Sequence, residues 1–175
     1  MKRIVIVGTC GCGKTTLGKQ LSQQLGITHT DLDNLYWLPN WTPRPSDEFE
    51  QAIIETVKEP SWIISGNQTK LRHLTWPHAD AIIWLDLPKL TLIYRLLKRS
   101  FLQVFSSKTI CNGNRETFSQ FIWLLKHFHI SYKRRKRNYT LFMKTEPNIN
   151  WIHLTSTSAV KRFLSQGDLP QTTPL

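Results

Sequence analysis

With 175 residues, 40% of them hydrophobic and 20% charged, the chain holds enough apolar material for one folded domain and too much for a disordered segment. Its three cysteines, Cys10, Cys12 and Cys111, form no ligand-like pairs and argue against a disulfide framework, and no apolar run is long enough to span a bilayer. The net charge of +11 draws polyanions, from nucleotides and phosphorylated metabolites to nucleic acid, without choosing among them.

In chain order, Met1-Lys2-Arg3 precedes only four apolar residues before Gly8, too few for a secretory segment, so a cytoplasmic protein is expected. Strands rich in Ile, Val or Trp are predicted over Arg3–Val7, Thr28–Leu32, Trp62–Ser65, Ala81–Leu85 and Trp151–Leu154. Helices fall between them. Lys14–Leu25 repeats Leu17, Leu21 and Leu25 at helical spacing. Ser46–Lys58 offers Ser46 as an N-cap, with Asp47 and Glu48 in a first turn where the helix dipole favours anions. Leu90–Phe105 is apolar and basic. Another helix is marked by Phe118, Phe121, Ile122, Leu125 and Phe128 and runs to about Met143, and Ser158–Leu164 closes the pattern. Alternation of strand and helix predicts an α/β fold, a parallel sheet with helices on both faces and right-handed crossovers. One domain over residues 1–166 is expected, followed by a frayed tail over 167–175.

The first strand runs into Gly8-Thr9-Cys10-Gly11-Cys12-Gly13-Lys14-Thr15-Thr16, which fits G-x-x-x-x-G-K-[ST] between a strand and a helix. Glycines let successive N–H groups turn inward, and the helix start adds partial positive charge at the same place. Lys14 is placed to reach the β- and γ-phosphates of a nucleotide such as ATP, and the Thr15 hydroxyl to ligate Mg²⁺. Cys10 and Cys12 read as small fillers. A zinc role lacks further ligands at suitable spacing. A thiolate at a helix start would be stabilised, which makes oxidation sensitivity the other reading of the pair.

With Gly11 and Thr16 the loop reads G-x-x-G-x-G-K-T-T and resembles those of nucleoside monophosphate kinases. His29-Thr-Asp31-Leu-Asp33, Trp62-Ile-Ile-Ser65-Gly66-Asn67 and Ala79-Asp-Ala-Ile-Ile-Trp-Leu-Asp86 are similar to the second, third and fourth strand ends of adenylate-kinase-like proteins. Arg95-Leu-Leu-Lys98-Arg99, Asn112-Gly-Asn-Arg115 and Lys133–Arg137 extend the pattern. Together they resemble the bacterial subfamily often labelled DNA topology modulation proteins, over about Met1 to Phe163. The resemblance implies a three-layer P-loop kinase fold with a five-stranded parallel sheet in the order 2-3-1-4-5. It also implies an acceptor region after the second strand, a helical basic lid over about residues 100–140, and Mg-ATP as phosphate donor. Where the family often carries Asp-Gly-Asn after the third strand, this chain has Ser65-Gly66-Asn67, so Asp31 or Asp33 is expected to stand in for that acidic residue.

On the acceptor side, Asp31 and Asp33 fall at the carboxyl end of a parallel strand, where ligands collect, and share a side if the strand continues. Asp33 reads as a base or orienter for an acceptor hydroxyl or as a partner of Mg²⁺; the other reading is a helix cap or solvated turn. His29 reads as a core or surface histidine. Trp37, Trp41 and Arg44 are candidates to stack on and neutralise a phosphorylated acceptor, or to close a core edge, and Asn67 and Arg72 are further acceptor candidates. Arg115 and the arginines of 133–137 are candidates to stabilise charge on the transferred phosphoryl group. The expected activity is transfer of the ATP γ-phosphate to a small acceptor, with Lys14, Asp33 and Arg115 as catalytic groups. The second reading is an ATP-binding regulator that holds nucleic acid through the same basic lid.

Overall fold

The strand β1 (Arg3–Gly8) is buried without a break from Ile4 to Gly8, because its alternate residues serve two different cores. Ile4 and Ile6 enter one apolar cluster and Val5 and Val7 the other. A parallel strand covered on both faces needs no polar alternation, and the sequence shows none. The computed structural model describes residues 1–67, 69–104, 112–114 and 118–165.

β1 pairs in parallel with β3 (Trp62–Ser65) on one side and β4 (Ala81–Leu85) on the other. β2 (His29–Asp31) lies outside β3, and β5 (Trp151–Leu154) outside β4, also in parallel. The order is therefore 2-3-1-4-5, as the family resemblance implies. One face of the sheet carries α1 (Lys14–Leu25), α5 (Lys89–Val104) and α7 (Thr157–Ser165), through Leu17, Leu21, Leu92, Leu96 and Phe163. The other carries α2 (Leu32–Tyr36) and α3 (Ser46–Lys58), through Leu32, Phe49 and Ile53, with Trp76 beyond the short α4 (Arg72–Thr75). Ser46 is the first residue of α3 rather than its cap. Pro45 holds the cap position and no side chain bonds to the first turn, which is left to Asp47 and Glu48 and the dipole.

Strand β2 ends one residue earlier than expected. Leu32 starts α2, and Asp31 becomes its N-cap, its Oδ1 accepting the Asp33 N–H at 2.9 Å. Asp31 and Asp33 thus lie on a cap and a helix rather than on one strand face. Two two-residue strands, Trp37–Leu38 and Thr42–Pro43, follow as an antiparallel ribbon.

The 28-residue helix α6 (Phe118–Thr145), ~42 Å long, crosses from one face of the molecule to the other. Phe128 is buried with the α1 and α5 side, whereas Tyr139, three turns later, is buried with the α3 side. The residues between them pass over the carboxyl edge of the sheet. Two polar anchors hold the helix there. Lys136 Nζ sits 3.2 Å from Asp86 Oδ2, which His153 Nε2 also approaches at 3.2 Å. The Tyr139 hydroxyl donates to Asn67 Oδ1 at 3.1 Å. Desolvation works to raise the Asp86 carboxyl, but His153 and Lys136 outweigh it and hold it below the ordinary range. Of the predicted lid, the structure describes this helix, the end of α5 and the turn 112–114; Arg115 and the tail over 167–175 lie outside the described residues. Among the described residues no helix is long and apolar enough to cross a membrane.

Gly18 faces the His29 ring so closely that an added Cβ would collide with it, and that ring is held by the buried Ser65 hydroxyl at 2.9 Å. Gly18→Ala should therefore destabilise the protein by about 1–2 kcal/mol in urea unfolding, against the ~1 kcal/mol that helix propensity alone would return. Asp86→Asn should cost about 2 kcal/mol near neutrality. Because the folded-state carboxyl is depressed, that contribution is present above about pH 4 and lost as pH falls through the folded value. The variant should then lose less stability than the parent on acidification through that window.

Candidate active site

All five strands deliver their carboxyl ends to one edge, where ligands of doubly wound sheets collect. At its centre, β1 turns through the loop 8–13 into α1. Gly13 holds φ 98°, which L side chains rarely adopt, and no side chain caps α1 behind it. The first-turn amides of α1 have no partner within the helix, so they and the dipole face the cleft as an anion cradle. Arg95 fixes the loop from outside, its Nη1 donating to the Cys12 carbonyl at 3.1 Å and its Nη2 to Thr157 Oγ1 at 2.9 Å.

Two members of the loop face inward instead. The Gly8 N–H donates to Asn67 Oδ1 at 3.1 Å, and the Thr9 side chain is buried. Cys12 is buried beneath Gly8, and burial pushes its thiol up, outweighing Lys14 and the helix start. For Cys12 the thiolate reading of the sequence gives way to the filler reading. Cys10 is half-buried at the rim of the cleft.

The cleft has two lobes. The first, about 620 Å³, is lined by the loop and start of α1, by Arg95 and Arg99 of α5, and by Thr157, Val160 and Lys161 of α7. The second, about 460 Å³, lies under α6 and is lined by Asn67, Trp123, His127, Ser131, Arg134 and Arg135. Cys10, Lys14 and Asp33 line both. Lys14 Nζ rests on the Gly8 and Thr9 carbonyls at 3.2 and 3.5 Å, at the meeting point of the lobes. Asp33 is open to solvent there yet enclosed by the cleft walls. That desolvation raises its carboxyl above the ordinary range, with Asp31 adding to the rise and Lys14, Arg135 and Arg99 opposing it.

The Thr15 hydroxyl donates to Asp31 Oδ2, so Asp31 ties the loop to the end of β2. Thr15 and Asp31 together present hard oxygen donors beside the anion cradle, a set that suits Mg²⁺ held largely by phosphate and water. Ser65, where the resemblance implies an acidic residue, is bonded to His29, and Asp31 is the carboxylate that the Thr15 hydroxyl bonds. His29 is accordingly a packing residue, its imidazole lowered by burial.

The other acceptor candidates are engaged elsewhere. Trp37 packs edge-on against Tyr36 and Trp41 at ring-centroid distances of 4.8 and 5.6 Å and lines neither lobe. Arg44 Nε donates to the Leu35 carbonyl at 2.7 Å. Arg72 lies 4.0 Å over the Phe142 ring and 3.5 Å from Glu146, again outside both lobes. Asn67 lines the second lobe, but its side-chain oxygen is committed to Gly8 and Tyr139. Within the basic run, Arg134 and Arg135 line the second lobe, Lys136 pairs with Asp86, and Lys133 and Arg137 are exposed.

Trp123, His127 and Ser131 were missed because hydrophobic periodicity assigns that helix a core stripe and ignores its other face. Thr157 could have been found, since it follows the carboxyl end of the last strand.

Comparison with known proteins agrees with this architecture. YqaC of Bacillus subtilis (strain 168), an uncharacterized protein, is 32% identical over 117 residues, which cover 65% of each chain. Shikimate kinase of Synechococcus elongatus is 31% identical over 109 residues, 53% of this chain and 56% of that one. The chain thus spans less than two thirds of the length of these curated relatives. Among solved structures, an unliganded sugar kinase from Janibacter sp. HTCC2649 superposes with a TM-score of 0.53 at 16% identity, covering 95% of this chain and 90% of that one. A gluconokinase from Sinorhizobium meliloti 1021 gives 0.50 at 15% identity, covering 95% and 89%. At such identities the likeness is one of fold. Residues 4–101, more than half of the sequence, match the family model described as AAA domain. The chain belongs to that family, as a P-loop NTPase of kinase-like fold.

Proposed function

We propose that the protein is an ATP-dependent kinase that transfers the γ-phosphoryl group to a hydroxyl of a small molecule bound beneath α6. The observation that carries this reading is the meeting of two lobes at Lys14 and Asp33, with the anion cradle on one side and a separate polar cavity on the other. The names of the relatives, shikimate kinase, sugar kinase and gluconokinase, support a small hydroxylic acceptor. Nucleotides, nucleosides and sugar-like alcohols all fall within this class. The resemblance to adenylate-kinase-like proteins, down to the DNA topology modulation subfamily and a nucleoside monophosphate kinase-like reaction, belongs to the same proposal, as does a cytoplasmic setting.

In this mechanism the first-turn amides of α1 and Lys14 hold the β- and γ-phosphates, and Arg95 and Arg99 wall the donor lobe. Mg²⁺, held by Thr15 and water near Asp31, would neutralise charge on the phosphates. The acceptor oxygen forms a bond to the γ-phosphorus as the bond to the β–γ bridging oxygen breaks. ADP leaves, and the hydroxyl proton passes to the Asp33 carboxylate. A raised carboxyl suits a base working near neutrality, and Arg135 stands near enough to temper it. Arg115 remains a candidate for stabilising the transferred group.

The nucleic-acid reading has less to draw on, because three of the five cations over 133–137 already face the second lobe or Asp86. A kinase should release ADP faster when one acceptor of a hydroxylic panel is added, whereas equal slow hydrolysis across the panel would defeat the proposal. Lys14→Ala should weaken Mg-ATP binding at least ~10-fold in calorimetry. Asp33→Asn should retain Mg-ATP binding but lose ~100-fold or more in acceptor-dependent turnover. For the parent enzyme, kcat/KM should rise with pH along a limb above the usual aspartate value of about 3.9, since the deprotonated form is the base. That limb should vanish in whatever residual activity Asp33→Asn retains.

A further inference from the structure

Tyr139 lines neither lobe of the cleft, yet its hydroxyl reaches the phosphate loop through one intermediate atom. The path starts at the end of β3. There the Gly66 N–H still joins the ladder, donating to the Ile6 carbonyl at 3.1 Å. The chain then passes Leu32 so closely that a Cβ on Gly66 would fall 2.6 Å from the Leu32 Cβ. It turns away before supplying the carbonyl that the Gly8 N–H of β1 would take next in a parallel ladder. The Asn67 side chain fills that place, its Oδ1 accepting the Gly8 N–H at 3.1 Å. The backbone of Asn67 is pinned in turn, its carbonyl accepting the N–H and the hydroxyl of Thr69 at 2.7 and 3.1 Å.

The same Oδ1 accepts the Tyr139 hydroxyl at 3.1 Å. Tyr139 is 3% exposed, and burial pushes its phenol above the ordinary range, so the donor proton stays in place. An amide N–H can only donate, so Gly8 decides which end of the Asn67 carboxamide faces the loop, and Tyr139 decides the angle at which that end is held. The Gly8 peptide has a second holder in Lys14, whose ammonium lies 3.2 Å from the Gly8 carbonyl. Lys14 must leave that carbonyl to reach the phosphates of a nucleotide. From then on the Asn67 oxygen is what holds this peptide against the third strand.

We infer that Tyr139 is a positioning residue for the nucleotide: acting through the Asn67 carboxamide, its hydroxyl holds the Gly8 peptide in the shape that binds phosphate. The inference rests on the reading of the loop as the ATP site and adds to it a residue of α6 that touches no substrate. Nucleotide affinity then depends on how α6 is seated, and by linkage a bound nucleotide holds α6 in its seat.

The test is calorimetric titration of the whole protein with adenylyl imidodiphosphate and Mg²⁺. Tyr139→Phe keeps the ring in its core and removes the donor alone. It should bind the analogue about 5-fold more weakly, and its Gly8 amide resonance should shift in the nucleotide-free protein. Asn67→Ala should weaken binding ~10-fold, and adding Tyr139→Phe to it should weaken binding no further, since the oxygen through which the hydroxyl acts is gone. Ile53→Val, in the same apolar cluster but away from this path, should lower the thermal midpoint and leave the affinity at the parent value. If Asn67→Ala does not fold, Tyr139→Phe with its Gly8 resonance decides. Parent-like affinity in Tyr139→Phe, losses that multiply in the double variant, or an equal loss of affinity in Ile53→Val would each overturn the inference and leave the ATP site standing. If the parent does not bind the analogue, the kinase reading fails and the inference with it.

Discussion

Everything at the carboxyl edge of the sheet depends on a helix that begins without a cap. The first-turn amides of α1 are left unpaired at the end of a buried strand, and Gly13 supplies the backbone angle that aims them outward. An uncapped helix start is normally a cost. Here it is held open because the surroundings fix it from three sides. Arg95 grips the Cys12 carbonyl, Asn67 takes the Gly8 N–H, and Cys12 fills the space under the loop. These contacts fix the shape of the loop, and donors held in place beforehand are what strong electrostatic stabilisation of an anion requires.

The second organising element is the crossing helix. By burying Phe128 on one side of the molecule and Tyr139 on the other, α6 is forced over the edge where the strands end. Its cations owe their different roles to this path. Arg134 and Arg135 hang into the space beneath, while Lys136 turns to Asp86. Tyr139 also reaches Asn67, and through that single oxygen the helix is joined to the first amide of the phosphate loop. The cover of the cleft and its floor thus share one hydrogen-bond acceptor.

The sheet, its order and the phosphate loop were legible in the sequence because they follow from local rules: apolar runs, alternation with helices, and a glycine pattern between strand and helix. The site beyond the loop was less so. Asp33 was expected at the carboxyl end of β2 and lies two residues beyond it, in α2, and Asp31 is the residue that bonds Thr15. Whether a strand ends at one residue or two residues later decides which way both carboxylates point, and composition does not fix that. Trp37, Arg44 and Arg72 looked like ligand-binding residues because tryptophan and arginine serve equally well to close a core edge. The wall of the second lobe was hidden because it arises from tertiary crossing of a helix whose sequence shows only its own stripe.

The turn 112–114 shows how the edge of the fold is kept in order. Asn112 Nδ2 donates to the Asn34 and Trp37 carbonyls at 2.7 and 2.8 Å. Asn114 donates to the Leu38 carbonyl at 2.9 Å and accepts the Trp41 N–H at 2.8 Å. Two side-chain amides thus stand where a third strand would lie beside the little ribbon after β2. Surface turns ordinarily tolerate gain or loss of a residue. This one does not have that freedom, since a one-residue insertion between the asparagines would carry one amide past its carbonyl and strip the ribbon of its surrogate neighbour, more than seventy positions away in the chain.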